Sequence, residues 1–159
     1  MPLIERSPAG LVRLLFRAPV PLYRLGLGPL FGHRLVYLAH RGRTSGRRRE
    51  VVLEVVGLDR RVPEVVVVAA WGERADWYRN IQAAPALELR TGLWRWTGPR
   101  HRVLDRDEMV AVLTAYRARH RRAWHHLAPV LGLPEDPATA PAAALSRIRA
   151  VALRPAGRT

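Results

Sequence analysis

The sequence predicts an α+β fold whose strands form a mostly antiparallel sheet or barrel. Short links join the apolar, β-branched runs that are typical of buried strands, and such links favour hairpins over the long crossovers of parallel sheets. Helical patterns precede, interrupt and follow these runs. The 159 residues, of which 48% are hydrophobic, suit a single domain with one core, which we expect over residues 1–159.

The N-terminal segment, residues 1–32, is predicted to begin with a helix. An apolar stripe at helical spacing is formed by Leu11, Leu14, Leu15 and Ala18. Pro19 and Pro21 end this helix. A stripe of this kind usually covers a core, but basic amphipathic helices also lie on membranes, so peripheral membrane contact of this helix is left open.

Most strands are expected in residues 33–104. Three strand candidates, the last with four consecutive valines, cover residues 34–40, 50–57 and 64–71. The links between them are short enough for antiparallel hairpins.

A helix and a further hairpin complete this central region. The helix is predicted over residues 72–84, and Pro85 ends it. Residues 87–90 and 93–104 then form a hairpin that turns at a Thr-Gly pair.

Two helices, a linker and a last strand are predicted in the C-terminal third. Asp105 and Glu108 have the spacing of a capping box and open a pair of helices over residues 105–132. Apolar stripes at helical spacing are formed on the first helix by Met109, Val112, Leu113 and Tyr116, and on the second by Trp124, Leu127, Ala128 and Leu131. Residues 133–146 are rich in proline and alanine and are expected to be a linker. Residues 147–155 are expected to be the final strand.

The composition is strongly basic, with 27 arginines, no lysine and a net charge of +14. Such a charge attracts phosphates, carboxylates, nucleic acid or an anionic membrane surface, without choosing among them. The absence of cysteine excludes disulfides, thiolate metal sites and cysteine nucleophiles. No secretory signal is visible and no charge-free run approaches the roughly 20 residues that span a bilayer, so a cytoplasmic location is expected.

An arginine-rich turn lies between the first two predicted strands, at residues 40–49. Gly42 and Gly46 permit turn conformations that direct several backbone N–H groups into one concavity, and Thr44 and Ser45 add hydroxyl donors. Flanking arginines can then bind phosphate or carboxylate oxygens in pairs. The alternative is a charged hairpin in solvent, and a phosphate-binding Walker loop is excluded because its lysine and spacing are missing.

A second candidate segment, residues 69–80, lies where the third predicted strand ends and a helix begins. Ala69 and Ala70 leave room for a flat ring against the strand, and Trp71 and Trp77 can wall that ring. Aromatic residues that fill a core are the alternative. Asp76 is expected to be either the cap of the helix or an acid in its first turn.

These two segments together resemble the deazaflavin-dependent nitroreductase and quinone reductase family. Members carry a Gly-Arg-x-Ser/Thr-Gly-x-x-Arg turn, which residues 42–49 match, followed by a Trp-Tyr-x-Asn-Leu-x-Ala-x-Pro helix, which residues 77–85 match closely. The resemblance spans roughly residues 34–104. It implies a split β-barrel of about six strands with flanking helices, similar to the flavin-binding barrels.

The resemblance also implies a cofactor, coenzyme F-420, an 8-hydroxy-5-deazaflavin with a phosphate and a glutamate tail; FMN is the less favoured choice. On this basis the phosphate and tail would be bound by Arg43, Thr44, Ser45 and Arg49. The ring would be bound by Ala69, Ala70, Trp71, Gly72 and Trp77. Asn80 would be a structural anchor.

The implied activity is hydride transfer from the reduced coenzyme to a small organic acceptor, namely a quinone, a nitro compound or an enone. The hydride chemistry belongs to the coenzyme, so no catalytic residue is assigned. The proton that must follow would come from Tyr78, Tyr116 or solvent. Trp71 stands where many relatives have a small serine, and we expect it to change the substrate pocket.

Three further expectations complete the sequence analysis. The alternatives to a reductase are a non-catalytic carrier of flavin, haem or deazaflavin with the same fold, and a basic nucleic-acid-binding module. No metal site is predicted, because His120, His125 and His126 are poorly spaced and have no carboxylate among them. A homodimer is left open by analogy with other split barrels.

Overall fold

A computed structural model describes residues 19–157 of the protein. Eight strands lie in this part of the chain: β1 Leu35–Arg41, β2 Arg48–Glu54, β3 Gly57–Asp59, β4 Glu64–Ala69, β5 Glu88–Thr91, β6 Trp94–Thr97, β7 Arg100–Val103 and β8 Arg149–Arg154. The α-helices are α1 Val20–Arg24, α2 Asp76–Ala83, α3 Arg106–Arg119, α4 Arg121–Leu131 and α5 Ala142–Leu145, and two 3₁₀ helices span Gly28–Phe31 and Gly72–Arg74.

The strands form two antiparallel four-stranded sheets, which confirms the predicted fold class. The first sheet has the order β2-β1-β5-β6 and the second has the order β3-β4-β8-β7. Alternate residues of each strand face inward, because successive side chains of a strand point to opposite sides. The inward-facing residues of both sheets, such as Leu38 of β1 and Val67 of β4, share one core with Ile81 of α2.

The outer face of each sheet is covered by helices. Met109, Leu113 and Tyr116 of α3 are buried, as the predicted helical stripe requires, and they pack with Val66 and Ala150 on the outside of the second sheet. On the outside of the first sheet, Val20 and Tyr23 of α1 pack with Tyr37, Ala39 and Val52.

Two of the six predicted strands are each divided, which is why eight are present. The run 50–57 was expected to be one strand, but it divides: Val55 N–H donates to Arg34 O in the first sheet, whereas Val56 N–H donates to Val66 O in the second. The chain therefore changes sheets within two residues. The run 93–104 divides at Gly98, whose φ of +56° turns the chain between β6 and β7.

The predicted helix over 72–84 is also divided. Ala75 is extended, with ψ of 120°, and separates a 3₁₀ turn from α2. The helix ends at Ala83 because Ala84, with φ of −155° and ψ of 145°, takes the extended conformation that a following proline favours.

The C-terminal predictions are largely confirmed. Asp105 and Glu108 form the predicted capping box of α3, and β8 is the predicted final strand. The expected linker over 133–146 contains the short helix α5, whose Leu145 is buried.

The predicted apolar stripe of the N-terminal helix lies outside the described residues. Pro19 is the N-cap of α1 and Pro21 lies in its first turn, so these prolines begin a helix in the described part of the chain. Within residues 19–157, no helix combines the length and the apolar character that crossing a membrane demands.

Candidate functional site

A cavity of about 380 Å³ lies beside the first sheet, between the arginine-rich turn and helices α2, α3 and α4. Of the residues nominated from the sequence, those that line it are Arg43, Thr44, Ser45, Arg49, Ala70, Trp71 and Trp77. The residues that sequence analysis did not nominate as ligand contacts include Glu54, Val68, Arg74, Trp124 and Leu133. The arginine-rich turn thus contributes cations to one edge of the cavity, while Val68, Trp124 and Leu133 contribute apolar surface elsewhere.

The arginine-rich turn is closed by its own backbone. Gly42 N–H donates to Arg47 O at 2.8 Å, and Gly46 N–H donates to Gly42 O at 2.8 Å. Gly46 has a φ of +66°, a conformation that favours glycine. A Cβ on Gly42 would lie 2.6 Å from Ser45 Oγ, so a larger residue there would displace the Ser45 hydroxyl.

Helix α2 holds this turn through Arg43. Asn80 Oδ1 accepts hydrogen bonds from the backbone N–H of Arg43 at 3.1 Å and from its Nη1 at 3.0 Å. The Arg43 guanidinium also contacts Asp76 Oδ1 at 3.3 Å. Asp76 lies in the first turn of α2, which is one of the two positions expected for it, and Ala75 is the N-cap.

The apolar wall is formed where β4 ends. Val68 and Ala70 line the cavity, whereas Ala69 lies 1% exposed in the core shared by the two sheets. This alternation follows from the two-residue period of strands, and it removes Ala69 from the predicted set of ring contacts. Trp71 and Trp77 flank the same wall.

Gly72 does not line the cavity either, and its role is in the backbone. Its φ is +54°, and a Cβ at this position would lie 2.3 Å from Arg147 O. The glycine therefore lets the chain leave β4 in close contact with the segment that precedes β8.

Replacing Gly72 with alanine is expected to destabilise the protein more than the same change at Gly46. An alanine at Gly46 meets nothing within 4 Å, so it incurs only the cost of the left-handed conformation, about 1–2 kcal/mol. At Gly72 a backbone clash with Arg147 is added. Urea unfolding of both variants measures the difference, and equal free energies of unfolding would show that the close contact has no energetic weight.

The wall of the cavity opposite α2 was not predicted as a binding surface, although Tyr116 was named as a proton donor. Tyr116 and Trp124 fall on helical stripes, which predict core residues, and both are indeed buried, but both also line the cavity. Tyr116 O–H donates to the carboxylate of Glu54, which lies 3.2 Å from Arg34. Burial and this hydrogen bond raise the pKa of Tyr116 above its ordinary value, so its phenol keeps the proton at neutral pH.

The three histidines near the C-terminal helices do not form a metal cluster. His120 contacts Arg34 at 3.1 Å and stacks near Tyr116, while His125 and His126 contact each other. In the described part of the chain, no group of three or more His, Cys, Asp or Glu residues is arranged to hold a metal ion.

Two antiparallel sheets with a ring-sized cavity and an arginine-rich turn at its edge define the class of flavin-binding-like split barrels. Residues 21–127 match the model of the F420H2-dependent quinone reductase family. The chain belongs to this family. It is an oxidoreductase that uses coenzyme F-420, which confirms the cofactor and the enzyme class that the sequence predicts.

Solved structures agree with this fold at low sequence identity. A protein described as a domain-swapped dimer is 16% identical, with a TM-score of 0.52 over 93% of this chain and 100% of its own. A protein of unknown function from Agrobacterium tumefaciens is 18% identical, with a TM-score of 0.51 over 97% of this chain and 59% of its own. An F420-H2 dependent reductase, FDR-A, is 16% identical, with a TM-score of 0.48 over 77% of this chain and 96% of its own. No curated protein is significantly similar to the chain.

Proposed function

We propose that the protein transfers a hydride from reduced coenzyme F-420 to a flat organic acceptor, of which a quinone fits best. The supporting observation is the cavity of about 380 Å³, which has an arginine-rich turn at one edge and an aromatic wall beside it. The family to which the chain belongs is described as a quinone reductase family, and this favours a quinone over a nitro compound or an enone. Trp71 lines the cavity and is expected to shape the acceptor pocket.

The anionic end of the coenzyme would lie at the arginine-rich turn. Arg43 and Arg49 line the cavity there, with the hydroxyl groups of Thr44 and Ser45 between them. Guanidinium groups form charge-assisted, paired hydrogen bonds with phosphate and carboxylate oxygens, which are the groups that the phosphate and glutamates present. The donor set present therefore fits the tail of this coenzyme.

The ring would lie against Ala70, between Trp71 and Trp77. The small side chain of Ala70 leaves the space, and the two indoles offer flat apolar surfaces. The coenzyme, when bound, supplies the hydride. The protein orients the ring and keeps water from the reacting face.

The acceptor would lie on the other side, against Tyr116, Trp124 and Leu133. A quinone that accepts a hydride also takes up a proton on oxygen. Of the two tyrosines nominated from the sequence, Tyr116 lines the cavity, whereas Tyr78 packs in the core beneath it. We therefore assign the proton-donating position to Tyr116, whose O–H would turn from Glu54 to the oxygen of the acceptor.

The test is a titration of the purified protein with oxidised coenzyme F-420 and with the same deazaflavin lacking the phosphate and glutamates, both followed by fluorescence quenching. The complete coenzyme is expected to bind more tightly, and its advantage is expected to shrink as salt rises, because the arginine contacts are screened. Reduced coenzyme should then be reoxidised faster by a soluble quinone than by a nitroaromatic compound or an enone. Absence of quenching would contradict the assignment.

A further inference from the structure

We infer that His40 is a positioning residue for the anionic end of the coenzyme, and that it acts as a neutral imidazole whose Nδ1 carries no proton. The inference rests on the proposed function, since it concerns the same cavity. His40 lies in β1, is only 4% exposed and lines the cavity beside the arginine-rich turn.

The hydrogen-bond partners of Asn80 determine which way its amide faces. Its Oδ1 meets the backbone N–H and the guanidinium of Arg43. Both groups of Arg43 can only donate, so the Asn80 atom that they meet must be the oxygen. The amide nitrogen of Asn80 is therefore the atom that lies 3.0 Å from His40 Nδ1.

The protonation of His40 follows from this orientation. The Asn80 nitrogen carries two hydrogens and only donates, so His40 Nδ1 must accept. The imidazole is then neutral, with its proton on Nε2. A proton on Nδ1 would set two donors against each other and turn the amide, which would place its nitrogen against the N–H groups of Arg43.

His40 thus acts on Arg43 indirectly, through Asn80. The chain His40–Asn80–Arg43 links strand β1, helix α2 and the arginine-rich turn through three hydrogen bonds. Asn80 is itself only 4% exposed, so water cannot readily replace a missing partner. Loss of the Nδ1 acceptor leaves the buried Asn80 nitrogen without this partner, so Asn80 holds the Arg43 guanidinium less firmly.

The test compares two substitutions of His40 against two ligands. His40→Phe keeps a ring but removes the acceptor, whereas His40→Asn keeps a side-chain oxygen close to the position of Nδ1. With His40→Phe, the affinity for complete coenzyme F-420 is expected to fall about three- to tenfold, the effect of one hydrogen bond. The affinity for the deazaflavin without phosphate and glutamates should be unchanged, and His40→Asn should restore most of the loss.

A spectroscopic measurement on the wild-type protein tests the tautomer directly. A long-range ¹H–¹⁵N spectrum of histidine-labelled protein should show His40 with an unprotonated Nδ1, the signal being assigned by its absence in His40→Asn. A doubly protonated ring or an Nδ1–H tautomer would overturn the inference, even if His40→Phe failed to fold.

The outcomes separate this inference from the proposed function. Equal losses for both ligands would show that His40 only supports the fold, and unchanged affinity in His40→Phe would show no role; either result overturns the inference while the reductase assignment stands. Failure of the wild-type protein to bind coenzyme F-420 would overturn both.

Discussion

Replacing Arg43 with alanine is expected to weaken the binding of coenzyme F-420 by at least about tenfold, because a hydrogen bond to a charged group contributes about 1.5–3 kcal/mol. Arg43 is the cation whose position the structure fixes best, with Asn80 and Asp76 both holding its guanidinium at the edge of the cavity. The deazaflavin without phosphate and glutamates should bind this variant as it binds the wild type. Fluorescence titrations of the two ligands provide the measurement.

Arg47→Ala is the matched control for this change. Arg47 belongs to the same turn, and its replacement by alanine removes the same charge, but the Arg47 side chain does not line the cavity. The thermal stability of the Arg43 variant should fall only modestly. The Asp76 partner is 61% exposed and surface ion pairs contribute little, while Asn80 Oδ1 keeps its hydrogen bond from the backbone N–H of residue 43. If Arg43→Ala and Arg47→Ala weakened coenzyme binding equally, the effect would come from the overall positive charge of the turn. The assignment of Arg43 as a specific contact would then be wrong.

The arginine-rich turn could be predicted from sequence because its chemistry is local. Two glycines, two hydroxyl residues and flanking arginines within residues 42–49 define both the bend and the donors, and four nominated residues of this turn do line the cavity. The helix that follows was predictable for the same reason, since Asn80 and Pro85 stand at fixed distances from Trp77.

The switch between sheets could not be read from the valine pattern. Residues 50–57 form one apolar run, and nothing in it shows that Val55 bonds to one sheet and Val56 to the other. That partner change depends on residues far away in sequence, Arg34 and Val66. Hydrophobic periodicity describes which face is buried, but it does not describe which strand lies alongside.

The far wall of the cavity was nominated only at Tyr116, as a proton donor, and the rest was missed because its residues have two roles. Tyr116 and Trp124 satisfy the helical pattern of a core and are buried, so their sequence spacing gives no sign of a ligand surface. Glu54 gave a weak signal, as a carboxylate within the otherwise apolar run 51–56. Only the packing of α3 and α4 against β2 and β4 brings these three residues to one cavity.

The two alanines at the end of β4 were nominated together, and the structure separates them. Ala70→Leu is expected to abolish binding of both the complete coenzyme and the deazaflavin without phosphate and glutamates, because the added carbons project into the space proposed for the ring. Ala69→Leu instead adds the same carbons to the packed core, where overpacking costs about 1–3 kcal/mol. Its folded fraction should still bind the ligand.

This pair of substitutions also discriminates between the two ends of the site. Arg43→Ala should affect only the ligand that carries the tail, whereas Ala70→Leu should affect both ligands, since both contain the ring. Circular dichroism and thermal unfolding establish that Ala70→Leu remains folded before the titrations are compared. Normal binding by a folded Ala70→Leu protein would mean that the ring lies elsewhere, and a loss restricted to the tail-bearing ligand would mean that the orientation of the coenzyme in the cavity is reversed.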